Sequence, residues 1–177
     1  MFFTENSLYY IGQCIGILAF FIGLTVFIQR DDKKLKYRLI IYTSCIALHY
    51  FLLGAIPAGI SASLNSFRTF VSIYFRKKIF MYIFIFLAIS FALPNIKNWM
   101  ELLPVSGTII STIAFFTTTK LKLRIIMWLS TSCWVVYNFW LGSIGGTLIE
   151  LSFLIINGIS IYRFSILLRK GIDPFKL

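Results

Sequence analysis

Carboxylates and histidine are scarce in this chain. Its 177 residues include six Asp and Glu and a single His, so neither a paired-carboxylate hydrolase site nor a several-imidazole metal cluster has the residues it needs. Cysteine is limited to Cys14, Cys45 and Cys133, all inside apolar runs, which argues against a secreted disulfide scaffold. Charged residues make up 13% of the chain, about half the share of an ordinary soluble domain. With 59% hydrophobic residues and a mean hydropathy of +0.86, a soluble globular protein is ruled out. Residues 1–10 carry Glu5 but no Lys or Arg, and no small-residue cleavage site follows them, so they do not read as a signal peptide.

What is present is apolar sequence in lengths that suit a bilayer, which takes about 17 to 25 residues of helix to cross. Four clear spans run over 7–28, 37–53, 79–93 and 125–141. Three more polar ones, 60–75, 104–119 and 147–168, contain Arg68, Glu150 and Arg163, which predicts helices that face protein or a wet cavity. Lys and Arg gather on cytoplasmic turns. Here 15 of the 17 fall after the first span (Arg30 to Arg38), after the third (Arg76 to Lys78), after the fifth (Lys120 to Arg124), or in and beyond the seventh. The turns 54–59 and 142–146 carry no charge. The pattern predicts seven transmembrane helices, with the N-terminus outside and the C-terminus cytoplasmic. Topology alone explains the net charge of +11, and no nucleic-acid partner is expected.

An internal repeat organises the spans. Thr43-Ser44-Cys45 recurs 88 positions later as Thr131-Ser132-Cys133, and the same offset pairs Gly54 with Gly142 and Ser72-Ile73-Tyr74 with Ser160-Ile161-Tyr162. Ala19-Phe20-Phe21 of the first span echoes Ala114-Phe115-Phe116 of the fifth. The reading is 3 + 1 + 3: a first triple-helix repeat over 1–78, a linker helix and outer loop over 79–103, and a second triplet with a basic tail over 104–177. An odd linker makes the two triplets enter the membrane in the same direction, as parallel repeats.

Several stretches resemble a known family. Gln29-Arg30-Asp31-Asp32, Leu53-Gly54-Ala55-Ile56-Pro57-Ala58-Gly59, the segment from Asn138 to Thr147, and the tail Arg169-Lys170-Gly171-Ile172-Asp173-Pro174-Phe175-Lys176 are similar to the bacterial inner-membrane family called YgjV, nearly end to end. That family in turn resembles the SWEET and PQ-loop superfamily of small 3 + 1 + 3 transporters, although the Pro-Gln dipeptide that names the PQ-loop group is absent here. The resemblance implies a multi-pass protein of the bacterial inner membrane. It also implies a carrier or facilitator for a small polar solute, bound between the triplets without a cofactor, and related transporters suggest a homo-oligomer. The alternative is a non-transporting scaffold or accessory subunit. An intramembrane enzyme is not expected.

By the same likeness, Asn157 on the seventh span and Trp140 on the sixth are the matched substrate-binding pair, with Asn65 on the third as a further candidate. Each Asn has a second reading as interhelical glue. Glu150, the only acidic residue well within a span, would either titrate and couple protons, pair with Arg68, or cap the seventh helix in a box with Thr147. Arg68 would either face an anionic solute or snorkel to the cytoplasmic side. His49 would hydrogen-bond within the bundle or relay protons. Trp128, Trp134 and Trp140, six residues apart, turn too far around a helix to share one wall.

Overall fold

The computed structural model describes residues 5–52, 56–75, 77–92, 94, 96, 98–140 and 144–175. They form seven α-helices and no strand: α1 (Glu5–Leu24), α2 (Asp32–Leu52), α3 (Ile56–Tyr74), α4 (Lys78–Ala92), α5 (Leu102–Thr117), α6 (Lys120–Trp140) and α7 (Ile144–Arg169). Each helix overlaps one expected span. Arg76, Lys97, Lys176 and residues 53–55 and 141–143 of the glycine-rich turns lie outside the described residues.

The two middle helices begin five residues earlier than hydropathy places them, because their charged first turns are amphipathic. In α2 the Asp31 carboxylate accepts the Lys34 amide at 2.8 Å as an N-cap, and Leu35 and Lys36 are buried behind it. In α6 the corresponding Leu123 and Arg124 are fully buried. A 3₁₀ turn, Trp99–Glu101, leads into α5 through a reciprocal cap between Asn98 and Glu101. At the other end of the chain, Gly171 takes φ +77° and the amides of Gly171 and Ile172 bond back to Leu168 and Leu167 at 3.1 and 3.0 Å. The tail then folds in: Pro174 is buried, Phe175 stands 5.0 Å from Phe164, and Asp173 pairs with Lys120 at 2.8 Å.

Solvent preference runs outward from polar to apolar, as lipid requires. Phe21, Phe67, Tyr82, Phe86, Phe139 and Ile155 are exposed, whereas Thr69, Ser72, Thr112, Arg124, Ser130 and Asn157 are buried together with a Phe- and Leu-rich core. By length and composition alone, 99–117 and 146–169 suffice to cross a membrane; 10–24 and 78–91 are apolar but shorter. The polar first turns of α2 and α6 and the Ser-rich face of α3 keep the others from reading as continuous apolar runs.

Middle helices sit between their neighbours. α2 packs on α1 and α3, α6 packs on α5 and α7, and the two groups meet along α1–α7 and α3–α5. α4 lies against α5 and α3. There Phe84 is buried with its ring centroid 5.9 Å from Phe67 of α3 and 6.2 Å from Phe116 of α5. Close approach needs small residues: a Cβ at Gly23 would stand 2.7 Å from the Phe153 ring, and one at Gly16 2.9 Å from His49 Nδ1.

Candidate functional site

The two seams between the helix groups differ in character. Along α1–α7 the contact is aromatic: Phe153 stands edge-on to Phe27 at 5.5 Å and to Tyr42 at 4.9 Å. Ser160 closes that seam by donating to Phe27 O at 2.9 Å. Along α3–α5 the contact is polar and cationic. Arg68, 4% exposed, donates through Nη1 to Thr108 O at 2.9 Å, Ser111 Oγ at 3.0 Å and Thr112 Oγ1 at 2.7 Å. Its guanidinium lies 5.2 Å from the Phe115 ring centroid, and Lys36 Nζ lies the same distance from that ring. Lys36 also donates to Ser72 O and Phe115 O, both at 3.1 Å.

Three cations are therefore buried among the described residues: Lys36, Arg68 and Arg124. Arg124 has a counter-charge, Asp32, at 3.6 Å, and donates to Gln29 O at 2.7 Å. No carboxylate pairs with Arg68 among the described residues, and its Nε has no hydrogen-bond partner. The acceptors around it carry only partial charge, so its full charge is stabilised by dipoles and one ring face.

Sequence reasoning put six side chains near a solute. Asn157 is fully buried and its amide donates to Arg124 O at 2.9 Å, tying α7 to α6, while its Oδ1 has no partner. Asn65 lies one turn before Arg68 and Thr69 on α3. Its backbone carbonyl accepts from Thr69 and its buried Oδ1 is likewise without a partner. Trp140 lies apart from Asn157. It is 43% exposed beside Tyr137 at the end of α6, sixteen residues and about 24 Å of helix from the Arg124 carbonyl that holds Asn157. The other tryptophans serve different neighbours, Trp128 donating to Leu154 O of α7 and Trp134 packing over Gly107 of α5.

The remaining three resolve as follows. His49 Nδ1 bonds Gly12 O at 2.8 Å, a contact that fastens α2 to α1. Arg68 does not snorkel, since its acceptors lie on the interior face of α5. Glu150 does not pair with Arg68, and it stands in the electrostatic neighbourhood of Tyr42 and Tyr50 on α2. Because α7 begins by Ile144, Thr147 is already its fourth residue and cannot be the N-cap of a box with Glu150.

Sequence reasoning missed Lys36, Arg124 and the Thr108–Ser111–Thr112 face. Both cations counted as cytoplasmic loop charges. Their separation of 88 positions, the offset of the internal repeat, was the signal available.

Two concavities among the described residues bear on the site. One, about 470 Å³, lies between α2 and α3 beside the exposed Phe51, Phe67 and Phe70, and so opens outward. The other, about 540 Å³, lies at the basic end of the bundle, lined by Arg30, Asp32, Lys36, Ser72 and Lys120 with Phe175 of the tail. Lys36 links this cavity to the polar seam, because it lines the first and touches Phe115 in the second.

No solved structure matches this chain. The inner membrane protein YgjV of Escherichia coli (strain K12) is 48% identical over 169 residues, covering 96% of this chain and 92% of that protein. The Imp-YgjV family, described as bacterial inner membrane proteins, matches residues 10–167. The apolar exterior, the polar interior and these two matches agree: the chain belongs to the YgjV family of bacterial inner membrane proteins.

Proposed function

We propose that the chain is a transporter or facilitator for a small polar solute. In this reading it crosses the inner membrane seven times, N-terminus outside and C-terminus cytoplasmic, as two parallel triplets (1–78 and 104–177) joined by α4 and its outer loop. The packing order supports the repeat. Exchanging α1, α2, α3 with α5, α6, α7 turns every contact within one triplet into a contact within the other, and turns the α3–α5 seam into α7–α1. Asp32 and Lys120, repeat mates at the 88-residue offset, touch each other, the Lys120 amide donating to Asp32 Oδ2 at 2.8 Å. Mates related by a two-fold axis can touch only close to that axis.

The observation that carries the solute site is the pair of buried polar atoms without partners one turn apart on α3, Asn65 Oδ1 and Arg68 Nε. Among the described residues Asn157 Oδ1, Asp32 Oδ1 and Nε and Nη1 of Arg124 also lack a hydrogen-bond partner, but Arg124 and Asp32 have each other as counter-charges. Purely structural polar groups in an interior are paired, since an unpaired one costs about 1–3 kcal/mol. A solute with hydroxyl or acidic groups would pair them. The competing reading, a scaffold or accessory subunit, draws on Asn157 and His49, whose donated or shared bonds already join helices.

A panel of sugars, nucleosides, vitamins, amino acids and organic acids decides between them. Purified protein is screened for thermal stabilisation, then reconstituted for liposome uptake. A solute at 100 times its Kd should stabilise the fold by about 2.7 kcal/mol and should enter liposomes only when the protein is present. No stabilisation and no uptake for any class would favour the scaffold.

A further inference from the structure

We propose that the transported solute is a small organic anion, a carboxylate or phosphate monoester, and that Arg68 is the residue that takes its charge. The inference rests on the carrier reading above and names its substrate class.

Charge accounting leads to Arg68. Of the three buried cations, Arg124 stands beside Asp32, and Lys36 has two backbone carbonyls of different helices at 3.1 Å. Arg68 is 4% exposed, holds three neutral oxygens through one nitrogen and leaves Nε without a partner. Arg124 likewise leaves Nε and Nη1 unpartnered, so what sets Arg68 apart is an unpartnered donor with no ion pair among the described residues. A guanidinium deep in a membrane protein is costly without an opposite charge, and such residues mark the path of an ion or substrate. Its fork of donors suits carboxylate and phosphate oxygens in particular.

The surroundings match an anion that also carries hydroxyl groups. Asn65, one helical turn from Arg68 and on the same face of α3, presents its unpartnered Oδ1. Ser111 and Thr112 offer hydroxyls that can turn from their carbonyl acceptors on Thr108. Access comes from the cavity of about 540 Å³, where Arg30, Lys33, Lys36 and Lys120 outnumber Asp31 and Asp32. A concave basic wall concentrates anions. Lys36 lies between that cavity and the Phe115 ring, which it shares with Arg68. Entry to Arg68 therefore requires the α3–α5 seam to part at Phe115, with Lys36 as the first cation met and Arg68 as the second.

The test uses full-length protein in detergent, with malate and glucose 6-phosphate as anionic probes and dimethyl malate and glucose as their uncharged counterparts. Wild type should be stabilised by at least one anion and not by its uncharged counterpart. Arg68→Gln should weaken that binding about tenfold or more, and Arg68→Lys should retain part of it. The uncharged analogues keep the test valid on wild type alone should Arg68→Gln fail to fold. Binding of anion and uncharged counterpart with equal affinity, or binding unaltered in a folded Arg68→Gln protein, overturns the inference. Uptake of an uncharged or cationic solute with no anion bound overturns it too, yet leaves the carrier reading standing. Absence of any binding and any uptake across the wider panel overturns both.

Discussion

Removing the Asp32 carboxylate should destabilise the fold through a residue on another helix, Arg124 of α6. In Asp32→Ala two things are lost together. The α6 N-terminus loses an acceptor for the Lys120 amide at 2.8 Å, worth about 1 kcal/mol by analogy with helix caps. Arg124, fully buried, loses its only ion-pair partner among the described residues. Stranding a buried charge costs about 3–5 kcal/mol when the pair is dry and well aligned. Here the separation is 3.6 Å, the Asp32 side chain is partly exposed, and Arg124 keeps Gln29 O, so about 2–3 kcal/mol for the whole substitution is the reasoned figure. At roughly 2–4 °C per kcal/mol for a chain of this size, the apparent Tm in mild detergent should fall by about 4–12 °C. The decisive control is the same substitution in an Arg124→Met background. With the buried charge gone, Asp32→Ala should cost only the cap, about 1 kcal/mol. An equal loss in both backgrounds, or no loss in wild type, would refute the claim that Asp32 is there for Arg124.

Gly23→Leu should overfill the α1–α7 seam, since even a Cβ meets Phe153 at 2.7 Å and Tyr42 at 3.2 Å; a loss of about 1–3 kcal/mol is expected, partly recovered by Phe153→Ala in the same chain. Trp140→Ala should leave solute binding and uptake unchanged within error, whereas Asn65→Leu should weaken both, because only Asn65 stands beside Arg68. His49→Phe should lose about 1 kcal/mol with the bond to Gly12 O while uptake at pH 6 and pH 8 keeps its wild-type ratio. Asp173→Asn should shift the Tm by no more than a degree or two, since Lys120 and Asp173 are half and about a quarter exposed.

Seven helices were legible from hydropathy together with the placement of the basic turns, because each apolar run overlaps one helix. The ends were less so. α2 and α6 gain a charged turn that a hydropathy window rejects, yet Lys36 and Arg124 are buried there by partners distant in sequence: Phe115 O and Ser72 O for one, Gln29 O for the other. The contacts to Phe115 O and Gln29 O join the α1–α3 group to the α5–α7 group, and local sequence carries no trace of them. Asn157 and Asn65 were identifiable as rare polar residues in apolar surroundings. Trp140 ends half-exposed beside Tyr137, away from Asn157, because likeness to another family carries over a helix and a position, and not the depth at which a side chain ends.

Helix α4 sets the two seams apart. Beside the α1–α7 contact, Phe153 of α7 packs on Phe27 of the turn after α1 and on Tyr42 of α2, an apolar joint that lipid would not reject. The α3–α5 contact holds a guanidinium, an amide and three hydroxyl-bearing residues. Phe84 bridges Phe67 and Phe116 along its outer side. α4 thereby covers the polar joint alone, and in the proposed carrier it would act as a gasket, letting that joint part toward the aqueous end without opening sideways to the bilayer.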